Sequence, residues 1–183
     1  MRVMMRRRRL TATLGALMLL LSVAAAFAHG PHEHGVVKLD VAVEPGRVTL
    51  LMESPLANLV GFERAPRSDA ERQRVDAALA TLNAAATLFK IDSAAGCTPG
   101  PVELNAAALE DGSKPGAAPA EAGHADLDAS YSFKCKKVVP AFVDIGLFAA
   151  FPGVQRIDVQ LITGNAQSKR TLTRTTARLS LAR

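Results

Sequence analysis

Three of the four histidines in this 183-residue chain fall within six residues: His29, His32 and His34. Imidazole is the commonest protein ligand for zinc and copper. In His32-x-His34 the two rings share one side of an extended chain, because side chains alternate with period two. They also share parity with Lys38 and Asp40, so both are expected on the solvated face of the strand that follows. His29 adds an imidazole and, if the chain is cut before it, a free α-amine. A second set with common parity is His124-x-Asp126-x-Asp128. Zinc takes four N, S or O donors at ~2.0–2.3 Å. The N-terminal histidines alone make an open site, and His124 or Asp126 closes it if the fold brings two strand starts together. A copper site with His third in the chain is not formed. Cleavage before Gly30 would give Gly30-Pro31-His32, and Pro31 has no amide hydrogen to lose. The competing reading of such an end is a solvated tail without metal.

Other chemistry is poorly supplied. The chain holds no G-x-S-x-G, no Walker loop, no H-E-x-x-H and no dinucleotide fingerprint. A hydrolytic triad would have to use His124, with no nucleophile marked beside it. There is no Trp and only one Tyr, which disfavours stacking on sugars and bases. A non-enzymatic protein is expected.

The net charge of +5 is misleading. Five of the 22 basic residues are Arg2 and Arg6 to Arg9, and no acidic residue precedes Glu33, so residues 29–183 carry 17 basic and 17 acidic groups. No basic face remains to argue for nucleic acid. Residues 1–28 read as a cleaved secretory signal: arginines, an apolar run from Leu14 to Ala26, then Ala26-Phe27-Ala28. The alternative is an uncleaved anchor, but the run is short for a span of ~20 residues. No Cys follows it to carry a lipid, so no stable membrane anchor is expected after cleavage. Export sets how the only two cysteines are read. In an oxidising compartment Cys97 and Cys135 are expected to form a disulfide. The alternative, a thiol metal or redox site, lacks a C-x-x-C.

The elements that must position the histidines follow from periodicity. Val37, Leu39, Val41 and Val43 alternate with polar residues, Pro45-Gly46 turns, and Val48 to Glu53 returns, a β-hairpin. Ser54 to Pro66 reads as a connection that packs down through Leu56, Leu59, Val60 and Phe62. Ser68-Asp69-Ala70-Glu71 is a capping box, and a helix is expected to about Phe89 with its apolar stripe in the core. Val102–Leu109 and Ala125–Lys136 read as a strand pair with Cys97 and Cys135 near its base. Residues 111–123, rich in Gly, Ala and Pro, are expected to be a flexible loop. A short helix is expected from Pro140 to Ala149, ended by Pro152-Gly153. Gln155–Ile162 and Lys169–Leu181 are the last two strands. The expected fold is α+β: a single domain over 29–183, with a flexible His-bearing start at 29–35. It has a mostly antiparallel sheet of about six strands (ββαββαββ) and two helices packed on one face.

Several blocks resemble the ZrgA-type periplasmic proteins linked to zinc uptake. They are His32-Glu33-His34-Gly35, the stretch from Ser54 through Gly61-Phe62-Glu63, Leu88-Phe89, and His124-Ala125-Asp126. Tyr131 to Cys135, Leu147-Phe148 with Phe151-Pro152, and Ile157 to Gln160 also match, so the resemblance spans nearly the whole chain after the leader. It implies a periplasmic protein of the Gram-negative envelope that binds zinc and assists its acquisition. A periplasmic zinc-binding protein or an ABC zinc importer is then the implied partner. Two features depart from the pattern. Many relatives carry His where this chain has Arg64, and some carry a His-rich mid-chain loop where 111–123 has none. A non-catalytic interaction module of the envelope, with incidental or no metal, is the alternative.

Overall fold

The structure is a computed structural model that describes residues 33–109, 125–136, 139–164 and 166–181. All of these fall within one compact unit, 31–183. The leader (1–28), His29, His32, His124 and the loop 111–123 lie outside the described residues.

Alternation makes the first hairpin. Strand β1 (Val36–Glu44) pairs antiparallel with β2 (Arg47–Pro55), Lys38 opposite Glu53 and Val43 opposite Val48. β2 pairs on its other side with β5 (Asp126–Lys134), which in turn pairs with β4 (Thr98–Asn105). β1 pairs in parallel with β7 (Arg156–Thr163), and β7 pairs antiparallel with β8 (Ala166–Thr173). The order is β4-β5-β2-β1-β7-β8. One face of this sheet is buried: Val37, Leu39 and Val41 pack beside Leu50, Tyr131 and Ile157. Each aliphatic side chain so buried contributes about 1.5–3 kcal/mol.

Among the described residues four helices occur, not two: α1 (Leu56–Val60), α2 (Asp69–Asn83), α3 (Ala85–Leu88) and α4 (Leu147–Ala150). α2 places Val75, Ala78 and Leu82 in the same core as the inner sheet face. Three short strands make a second antiparallel sheet: β3 (Phe89–Ile91), β6 (Phe142–Ile145) and β9 (Arg178–Ser180), in the order β3-β6-β9.

This second sheet explains where the expected ββαββαββ order fails. The long helix stops at Ala84, and after the single turn of α3 the chain becomes β3. Phe89, expected on the helix stripe, is buried as a strand residue with its ring edge-on to Tyr131, centroids 4.7 Å apart. Within the helix expected from Pro140 to Ala149, Phe142–Ile145 is strand β6, and only the end, from Leu147, is helical, as α4. Phe142, Val143 and Ile145 are aromatic or β-branched and suit a pleated surface, and β6 finds β3 on one side and β9 on the other. The last strand divides for the same reason: Arg178 to Ser180 leaves β8 to pair with β6. There Arg178 forms a bidentate pair with Asp144 (2.6 and 2.8 Å) and lies 3.9 Å from the Phe142 ring centroid. The expected strand 102–109 is shifted earlier, to Thr98–Asn105, and Ala107–Leu109 is a 3-10 turn.

Cys97 and Cys135 are bonded. They flank the paired residues Thr98 and Lys134, so the bridge pins the base of the β4–β5 pair. It joins positions 38 residues apart. Chain-entropy reasoning assigns such a closure about 4 kcal/mol. Replacing both cysteines with serine should therefore lower unfolding free energy by about 2–4 kcal/mol in urea titrations. An unchanged midpoint would show that the bridge constrains nothing the fold does not already hold.

Candidate metal centre

His34 does not sit on the strand. Glu33 to Val36 form a β-turn in which the Val36 N–H donates to the Glu33 carbonyl at 3.1 Å. Gly35 occupies the third position with φ +84°, the left-handed conformation that a type II turn requires there. Parity therefore does not carry back from Lys38 to His34, and the expectation of a histidine on the solvated strand face is corrected. The ring stands at the turn apex, its side chain 64% exposed.

The turn is held from two sides. On one side, Asn58 in α1 is 5% exposed. Its Oδ1 accepts from the Gly35 N–H at 2.6 Å, and its Nδ2 donates to the Val36 carbonyl at 2.9 Å and to Ser54 Oγ at 3.4 Å. On the other side, the Gly35 carbonyl accepts from the N–H groups of Gln155 (2.8 Å) and Arg156 (3.0 Å). The Arg156 guanidinium reaches Glu33 at 2.8 Å and also contacts Asp158. Gly153 packs directly on Asn58: a Cβ there would lie 2.4 Å from the Asn58 carbonyl oxygen. Arg174 holds that turn by donating to the carbonyls of Phe148, Pro152 and Val154.

One partner of His34 is Glu63, with Nε2 2.8 Å from Oε1. Sequence reasoning did not select Glu63 as a donor. The two residues are 29 apart, and the one visible sign was that Glu63 closes the Ser54–Glu63 block. Arg64, where the resemblance led to an expectation of His in relatives, is committed elsewhere. Its guanidinium makes two 2.8 Å bonds to the Glu71 carboxylate and lies 5.0 Å from the Phe62 ring centroid. Glu71 also accepts from the Arg67 N–H at 2.6 Å, while Ser68 Oγ accepts from the Glu71 N–H. The capping box is thus half as expected: serine caps the helix, but the glutamate turns to Arg64 and Arg67. These bonds, Arg64 first and Arg67 second, hold the Glu71 carboxyl at about 2, below its ordinary 4.5.

Asp126 opens β5 opposite Pro55. The preceding residue, Ala125, accepts from the Leu56 N–H at 2.8 Å. β1 and β5 flank β2, so their starts lie at one end of the sheet, roughly 10 Å apart at ordinary strand spacing. On the outward face, a groove of about 430 Å³ is lined by Lys38, Asp40, Leu51, Glu53, Glu103 and Asp128, among others. Burial and then the neighbouring Glu53 push the Asp40 carboxyl up, against the pull of Lys38. Among the described residues, no group of three His, Cys, Asp or Glu side chains is placed to hold a metal ion. The described donors at the turn, His34 and Glu63, fall short of the four zinc takes.

Two outcomes follow. Asn58→Ala leaves the Gly35 N–H and the Val36 carbonyl without their buried partner. It should cost about 2–4 kcal/mol in denaturant titration, and Asn58→Asp, which keeps the acceptor but loses the donor, should also destabilise. The Glu71 contribution to stability is complete above about pH 4.5 and is lost as the pH falls towards about 2, because its folded-state pKa is depressed. Glu71→Gln should therefore flatten the stability–pH curve in that window; parallel curves for the two proteins would contradict the assignment.

Comparison with curated proteins returns no match. A family model does match, over residues 31–181, and its description is ZrgA family zinc uptake protein. That span covers the turn, Asn58, Glu63, Asp126 and both cysteines, and the chain belongs to the ZrgA family of zinc uptake proteins.

Proposed function

We propose that this chain is a non-catalytic, periplasmic zinc-binding accessory protein that assists zinc acquisition and passes the ion to an ABC importer or its periplasmic binding protein. Zinc uptake is the role of the family, and the Cys97–Cys135 bridge suits an exported protein. The observation that carries the reading is the common location of two strand starts. The Glu33–Val36 turn and Ala125-Asp126 lie at one end of the sheet, on either side of β2. In sequence, His29 and His32 come just before the first and His124 just before the second. The ligand set is His34 with His29, His32 and His124, and Asp126 as the carboxylate donor. A carrier requires a set that exchanges its ion readily.

The interaction-module reading draws support from the shortage of clustered donors among the described residues. Zinc calorimetry separates the two. The purified protein should take up zinc, and replacing His32 and His34 with alanine should weaken binding by at least tenfold. Retention of wild-type affinity by that double variant would remove the N-terminal histidines from the site. Co-purification of a partner in chelator, without zinc uptake, would favour the module.

A further inference from the structure

We propose that the free edge of β8 is a strand-addition site for an extended, acidic segment of a partner protein. β8 closes one end of the six-stranded sheet and, among the described residues, has β7 as its only neighbouring strand. Its ladder with β7 runs from Ala166 to Thr173 without a register shift. At its end the Thr173 N–H donates to Thr176 Oγ1 (3.2 Å), and the Thr173 carbonyl accepts from the Thr176 N–H (3.0 Å). The backbone groups of Thr173 therefore point away from β7. In an antiparallel pair this direction alternates along the strand, so those of Gln167, Lys169 and Thr171 also point to the open edge. The Arg170 guanidinium agrees with this, donating to the Lys169 carbonyl at 2.9 Å. The other edges offer less. β4 carries Pro99 and Pro101 and shifts register between Pro99 and Val102, and proline has no N–H to give a ladder. β3 and β9 have three residues each.

Charge selects the occupant. Lys169 and Arg170 are both exposed. Directly opposite residues share a face, so Arg170, opposite the buried Val159, stands on the inner side of the sheet and Lys169, opposite Gln160, on the outer side. Arg174, the next cation along the chain, is taken up by the carbonyls of Phe148, Pro152 and Val154. The edge thus presents one positive charge on each face at adjacent positions. A second copy of the chain is a poor fit. Antiparallel registers centred on Lys169 or Arg170 set that residue opposite its own counterpart, and like charges directly opposite destabilise a sheet. Charged side chains are also how natural edges refuse such pairing. A segment with two successive carboxylates suits both faces. Its N–H replaces the guanidinium on the Lys169 carbonyl and releases Arg170 to bond a carboxylate. Main-chain bonds then give the affinity and the two cations the choice of partner.

Two labelled peptides of alternating valine and threonine test this, one with two successive glutamates at its centre and the other with two lysines. Fluorescence anisotropy should show the wild-type protein binding the glutamate peptide about tenfold more tightly, a preference that shrinks with added salt. Amide hydrogen exchange should slow at Gln167, Lys169 and Thr171, while Ser168 and Arg170, whose backbone groups face β7, stay as they were. Lys169→Glu with Arg170→Glu should reverse the preference at an unchanged urea midpoint. Should that variant fail to fold, Lys169→Gln with Arg170→Gln should bind the two peptides alike. Equal binding of both peptides by the wild-type protein, no binding of the glutamate peptide, or protection along β4 instead of β8 overturns the proposal. Zinc takes no part in the contact, so these outcomes leave the zinc reading untouched.

Discussion

The start of the first strand depends on one buried amide. Asn58 uses its oxygen and its nitrogen on three partners at once, the Gly35 N–H, the Val36 carbonyl and the Ser54 hydroxyl. A buried amide without partners costs several kcal/mol, so its place inside the protein requires that all of them be present. Its own helix, α1, has five residues and could not persist alone. It is kept by the burial of Leu56 and Val60, by the Leu56–Ala125 backbone bond and by Gly153 packed on its backbone. Through these contacts the end of β2, the starts of β1 and β5, and the lead into β7 become one rigid corner.

That corner decides what the histidine end can do. The core is closed by aliphatic and aromatic side chains on one sheet face. The His34 side chain, 64% exposed, stands at the tip of that rigid corner. Gly35, at φ +84°, lies where that tip leaves the sheet, a conformation glycine adopts at no steric cost, and hydrogen bonds on both of its peptide groups hold it there.

Much of the scaffold was legible because it rests on local rules. The alternation of Val37, Leu39, Val41 and Val43 depends only on the period of a strand, and β1 forms where it is read. The Ser68 cap follows from residue type, and the disulfide from there being two cysteines in a chain expected to be exported. The failures share one cause. Phe89 and Phe142 to Ile145 were read as helical from spacing that helix and strand can both satisfy over a few residues. Their pairing as β3-β6-β9 was decided by partners more than thirty residues away.

The histidine end divides in the same way. Sequence alone determined that imidazoles cluster ahead of β1 and that a strand follows them, because both are properties of neighbouring residues. Only the tertiary structure decided that the strand begins after His34, that Gly35 turns the chain, and that Glu63 meets the His34 ring. A glycine in a sequence does not announce the sign of its φ. A carboxylate 29 residues away becomes a neighbour only when a buried asparagine fixes the corner between them.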